Sequence, residues 1–279
     1  KKEERLVAKV AFWSVENKMA GNTHAVLATS TLMGISHKVT SIVIQSNFNS
    51  RKIESAFTPY DVLLETGAFE SSNIGISALA RLITSNKLTP DFIQNYAKPV
   101  LKNRLDILYG INSKDRQMYE ETMSNLTYLI RKADEMYDLV FVDLPKGSTE
   151  KYVESTLADA DVVVCVLNQD MVKLTEFFRN INSNETLKDK QKIYVIADYD
   201  DKSKYNVFNI ASRFRIREPI YTVPHNMMFA DACNDGDIVD FFYKNIQAEN
   251  EKGDYNGKFI ASTRQIVEKI LDITKVKDA

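Results

Sequence analysis

Apolar residues gather into short runs separated by longer stretches of helical spacing, and the two patterns alternate from end to end. Residues 6–13 (Leu-Val-Ala-Lys-Val-Ala-Phe-Trp) form the first strand-like run. After a loop closing near Gly21, residues 23–33 have helical composition and stop at Gly34. The next strand is expected at 38–45, around Ile42, Val43 and Ile44, and the polar stretch 46–55 starts another helix. Between 59 and 109 the pattern weakens to short helices and one strand at 105–109. One long amphipathic helix is predicted over 113–136, with Tyr119, Met123, Leu126 and Ile130 on one face. It leads into an apolar strand at 137–143. Further strands are expected at 161–167, 193–197 and 219–223, with helices at 151–158, 173–182, 206–214, 228–246 and 256–276.

Strands that are apolar throughout must be covered on both faces. With intervening helices they predict an α/β fold of three layers, a mostly parallel central sheet with right-handed helical crossovers on both sides. The alternation has no linker, so residues 1–279 are read as one domain. In such sheets ligands gather at the carboxyl ends of the strands. That rule selects six loops, at 14–23, 45–49, 143–147, 168–170, 198–200 and 224–226.

Composition narrows the functional classes. The 36 Lys and Arg nearly balance 38 Asp and Glu, which provides no strong field for nucleic acid or an anionic membrane. The 13 tyrosines and 14 phenylalanines are not interleaved with basic clusters, so base stacking on single strands is unsupported. Cys165 and Cys233 fall in strand-like and helical segments and read as buried, inert thiols. No apolar run approaches the roughly 18–20 residues of a membrane span, and the charged start lacks the apolar stretch of a signal peptide. A cytoplasmic place of work is expected.

The chemistry concentrates after the first strand. An intact phosphate loop reads Gly-x-x-x-x-Gly-Lys-Ser/Thr: backbone N–H groups cradle phosphate, the lysine neutralises it, and the hydroxyl holds Mg²⁺. Here residues 14–23 keep the closing Gly21 and Thr23, lack the first glycine and place Asn22 at the lysine position. A second element matches: four apolar residues run into Asp143, followed by Leu144-Pro145-Lys146-Gly147, the form of a strand end whose carboxylate orders Mg²⁺.

These two elements resemble the MinD/ParA ATPases and, within them, the degenerate TadZ/CpaE branch associated with Tad/Flp pilus machinery. The resemblance rests on Ala11-Phe12-Trp13-Ser14, Gly21-Asn22-Thr23, Ser46-Asn47-Phe48-Asn49, the run from Tyr137-Asp138 to Gly147, residues 161–169, and Pro224-His225-Asn226 through Gly236. It implies ATP and Mg²⁺ as cofactors. Lys18, Met19, Ala20, Gly21, Asn22, Thr23 and His24 would lie at the phosphates, Thr23 and Asp143 at the metal, and Asp198, Pro224 and Asn226 at the adenine; Asp143 is the catalytic candidate. It also implies a homodimer that places a pilus or secretion complex at a membrane-associated or polar focus, with indirect or weak membrane contact.

The departures point to weak binding and slow or absent turnover. The family's signature lysine falls on Asn17, with Lys18 displaced by one, and its acidic residue after the second strand is replaced near Gln45. One lost charge-assisted phosphate contact costs about 1.5–3 kcal/mol, roughly one to two decades of affinity. Lys18 and Lys146 either reach the phosphates or stay solvated, and His24 either donates to an anion or sits on a helix surface. Asp198 stands where the family often has Asn; a carboxylate accepts from an adenine amino group but cannot donate to the ring nitrogen. The alternatives are an active ParA-type partitioning ATPase and a nucleotide-free scaffold. In the last helix, Phe259, Ile266, Ile270 and Ile273 form an apolar face, suited to docking on its own domain or to a membrane.

Overall fold

The computed structural model describes residues 8–15, 21–48, 50, 52–65, 74–111, 115–145, 147, 150–248 and 253–277. In chain order its elements are β1 (Ala8–Trp13), α1 (Asn22–Ser36), β2 (Ser41–Gln45), α2 (Lys52–Phe57), α3 (Tyr60–Glu65), α4 (Gly75–Thr84), α5 (Pro90–Tyr96), β3 (Lys98–Leu101) and β4 (Leu105–Leu108). There follow α6 (Arg116–Met123), α7 (Leu126–Asp134), β5 (Leu139–Asp143), α8 (Lys151–Asp159), β6 (Val162–Leu167), α9 (Met171–Asn180) and β7 (Gln191–Tyr199). The last elements are α10 (Val207–Phe214), β8 (Ile220–Pro224), α11 (Met227–Asp235), α12 (Ile238–Asn245) and α13 (Tyr255–Thr274).

The eight strands form one sheet in the order β3-β4-β2-β5-β1-β6-β7-β8, parallel except where β3 pairs antiparallel with β4 at the edge. Alternate residues of each inner strand face opposite layers, as the pleat requires. Val10, Phe12, Phe141 and Val164 join the core under α1, α2, α11, α12 and α13. Ala11, Trp13, Val142 and Cys165 join the one under α4 to α10. This is the expected three-layer α/β fold. Both thiols are buried, and burial pushes each up to about 12, which leaves them unreactive.

Two predicted helices are each divided in the structure. The 113–136 segment breaks between α6 and α7, where Ser124 Oγ donates to Glu121 O (2.7 Å) and Asn125 Nδ2 donates to the same carbonyl (3.2 Å). These side chains compete with the backbone ladder at the turn. The 228–246 segment breaks at Gly236, whose φ of 82° is left-handed. A Cβ there would fall on the backbone of Thr58 and Pro59. Gly236→Ala is therefore expected to lose about 2–4 kcal/mol of stability, from left-handed strain plus overpacking, in a urea unfolding titration. The weakly patterned region 59–109 becomes α3, α4, α5 and the hairpin β3–β4.

Helix α13 packs against α1, α12 and β8. Phe259, Ile260, Ile266, Val267 and Ile270 are completely buried, so its apolar face is spent on the domain and not on a membrane. Among the described residues no helix is long and apolar enough to cross a bilayer.

Candidate nucleotide site

Three strand ends meet at one level: Phe12 and Gln45 both pair with Asp143 across β1–β5 and β2–β5. The chain enters α1 through Gly21, which has a left-handed φ of 70°. A Cβ on Gly21 would lie 2.6 Å from Ala197 Cβ, so only glycine lets the start of α1 lie against the end of β7. Gly21 has no side chain to cap α1, and the first turn carries no acidic residue. The helix thus presents its N–H groups and positive dipole end toward the sheet's carboxyl edge, a setting that favours an anion.

The residue at the lysine position turns inward onto the strand ends. Asn22 is fully buried, and its Nδ2 donates to Asp143 Oδ1 (2.6 Å), Phe12 O (3.2 Å) and Leu144 O (3.3 Å). Thr23 Oγ1 and Asn47 Nδ2 each donate to Asp143 Oδ2 at 3.0 Å. Ser46 Oγ donates to the Asp143 carbonyl at 2.7 Å. Asp143 is only 1% exposed, and these donors are all neutral. Asn22 Oδ1 is itself buried without a partner among the described residues, an acceptor left open beside the carboxylate.

A cavity of about 270 Å³ opens over the start of α1. Gly21, Asn22, Thr23, His24, Asp198, Pro224 and Asn226 all line it, while Asp143 lies beneath its floor, bonded to Asn22 and Thr23. His24 is exposed, its ring edge-on to Phe229 with centroids 5.8 Å apart. Lys18, Met19 and Ala20, together with Asn17 and Lys146, lie outside the described residues.

Asp198 belongs to β7 itself rather than to a loop beyond it. A bulge between Ala197 and Tyr199 shifts the register against β8, and Asp198 sits there at φ 52°. Its carboxylate is 65% exposed and meets His225 Nδ1 at 2.5 Å. The Asn226 amide is committed elsewhere: Oδ1 caps α11 through Phe229 N (2.8 Å) and Nδ2 donates to Asn256 Oδ1 (2.9 Å).

Lys52 is absent from the sequence-derived candidates. It heads α2, lines the cavity and makes no ion pair among the described residues. A cation at a helix N-terminus opposes the dipole, which is one signal that could have singled it out. Its position beside α1 follows from the packing of α2 on α11 and α1, which no local motif encodes. Asn47 was within a selected loop, but its bond to Asp143 needs the β2–β5 register.

No protein-family model matches the sequence, and no curated protein matches it. Solved structures do match in fold. The cell division ATPase MinD of Pyrococcus furiosus aligns with a TM-score of 0.66 at 11% identity, over 94% of this chain and 99% of that one. The septum site-determining protein MinD of Pyrococcus horikoshii, complexed with Mg-ADP, aligns at 0.65 and 13%, over 96% and 98%. A plasmid partition protein of Borrelia burgdorferi bound to AMPPNP aligns at 0.63 and 14%, over 95% and 99%. The chain therefore has the fold of the MinD and ParA ATPases.

Proposed function

We propose that this protein is a positioning or assembly factor of the TadZ/CpaE type for a pilus or secretion complex, working as a homodimer in the cytoplasm. In this reading it binds a nucleoside triphosphate, ATP by family resemblance, weakly with Mg²⁺ and hydrolyses it slowly or not at all. The observation that carries the reading is the inward turn of Asn22 onto Asp143. The glycine turn into α1 and the carboxylate at the end of β5 are present, while the position that ordinarily supplies a cation holds a neutral, buried amide.

The described residues fit a triphosphate with Mg²⁺. The first turn of α1 would hold phosphate through backbone N–H groups, and Thr23 with Asp143 would hold the metal, whose bound charge offsets that of the phosphates. Asn22 contributes orientation, since its two hydrogens hold the carboxylate and the strand ends in place. Lys52 is the lysine on the cavity wall among the described residues. A neutral lysine position leaves transition-state charge poorly compensated, which lowers turnover more than binding. The near-balance of charge argues against the partitioning alternative, which needs a DNA-binding surface.

Titration calorimetry of the full chain with ATP, and in parallel with the other nucleoside triphosphates, tests this together with a phosphate-release assay. Saturable binding with little phosphate release is expected, and Lys52→Gln should weaken it about threefold to tenfold, the modest effect of a solvated charge contact. Failure of every triphosphate to saturate at millimolar concentration would leave the nucleotide-free scaffold. Rapid release of phosphate would instead favour the partitioning ATPase.

A further inference from the structure

The near-balance of charge along the chain conceals two exposed faces of opposite sign. We propose that these faces bind one another between copies, so that the α10 face of one molecule meets the α11 face of the next in a head-to-tail contact that needs no nucleotide. None of the residues involved lines the cavity over α1, so the contact stands apart from the nucleotide reading.

The basic face lies on α10 and the turn after it. Ile210 and Phe214 of this helix pack toward the core, while Phe208 is 78% exposed. Arg213, Arg215 and Arg217 are exposed, and none forms an ion pair among the described residues. The adjacent Glu218 accepts from the backbone N–H of Arg217 at 3.2 Å. A shallow groove of about 360 Å³ joins Phe208 to Arg215 and Arg217 past Ala211, Ser212 and Ile216.

The acidic face lies on the other layer of the sheet. There α11 buries Phe229 and Cys233 and turns Met227, Met228, Asp231 and Asp235 to the outside, Met228 being 60% exposed. Asp237 and Asp240 of α12 and Asp61 of α3 extend it around Gly236, against which the chain entering α3 lies closely. None of these five aspartates forms an ion pair among the described residues.

The two faces share a register. On α10 the apolar Phe208 precedes Arg215 by seven residues, and on α11 Met228 precedes Asp235 by the same interval, two helical turns or roughly 10 Å. Phe208 of one copy can therefore seat against the adaptable methionines of the next while arginine meets aspartate two turns on. Exposed apolar side chains beside unpaired charges of one sign favour a partner of the opposite sign, and this chain carries that partner itself. Because the faces lie on opposite layers of the sheet, they cannot meet within one molecule. A contact between unlike faces leaves one of each free and adds copies in series.

Sedimentation velocity of the full chain in EDTA without nucleotide tests this. The average mass should rise with concentration beyond that of a pair, and association should weaken at least about tenfold between about 0.05 M and 0.5 M salt. Two variants each remove one face: Phe208→Ala with Arg215→Asn, which keeps a residue tolerant of the left-handed turn, and Asp231→Asn with Asp235→Asn. Each should keep its urea unfolding midpoint and lose self-association at least about tenfold. Mixed in equal amounts, each retains the face the other lacks, and they should form pairs and nothing larger. A mixture that associates no better than either variant alone would overturn the proposal. So would a wild-type chain that stops at pairs, or one that stays single at about 100 µM in low salt, whether or not its arginines then hold a DNA duplex or an anionic vesicle.

Discussion

Asp143→Ala is expected to remove the Mg²⁺ dependence of triphosphate binding, so that affinity measured with Mg²⁺ falls to the value measured in EDTA. The carboxylate is the buried anion that Thr23 Oγ1 touches at the start of α1, and together they are the described residues suited to a hard divalent cation. Its loss should cost at least about tenfold in affinity with Mg²⁺ and much less without it. Stability should also fall. Asn22 Nδ2, Thr23 Oγ1 and Asn47 Nδ2 would lose an acceptor in a site where Asn22 and Thr23 are buried. Relief from desolvating a charge offsets part of this, for a net loss of about 1–3 kcal/mol in urea unfolding. A variant whose binding still tightens with Mg²⁺ would show that the metal is held elsewhere.

The largest stability effect is expected from Phe259→Ala, a loss of about 3–5 kcal/mol of unfolding free energy. Phe259 is fully buried in α13 and stacks at 4.5 Å between centroids on Phe229, with Phe241 at 5.8 Å and Phe242 at 6.3 Å. Truncation would empty the centre of this aromatic cluster and free the edge of α13 that lies against α12 and β8. Phe229 and Phe259 also line the cavity, so the same variant should weaken triphosphate binding. Chemical unfolding gives the first quantity and calorimetry the second. A loss below about 1 kcal/mol would mean that α13 is loosely docked and its apolar face available to another surface.

Strand and helix alternation was legible because hydrophobic periodicity is a local property. Val162 to Leu167 are apolar at every position since β6 is covered on both faces, and this shows in six consecutive residues. The helix breaks were less legible. Gly236 stops α11 because Thr58 and Pro59, far away in the chain, occupy the space a side chain would need. The break at Ser124 and Asn125 depends on side-chain hydrogen bonds that the amphipathic pattern of the flanking turns conceals.

By itself the sequence determined that buried parallel strands would carry a phosphate-loop-like turn after the first, with Thr23 and Asp143 preserved and the lysine replaced at Asn22. These are matters of residue identity and spacing, which order along the chain records directly. Only the tertiary structure decided how the replacement is used. Asn22 is drawn inward because Asp143 and the carbonyls of Phe12 and Leu144 converge there across strands more than a hundred residues apart. Lys52 reaches the cavity through helix packing, and Asp198 turns into it through a bulge set by β8 pairing. Contacts of that separation leave no periodic trace, since their energy depends on register and burial rather than on neighbours in the chain.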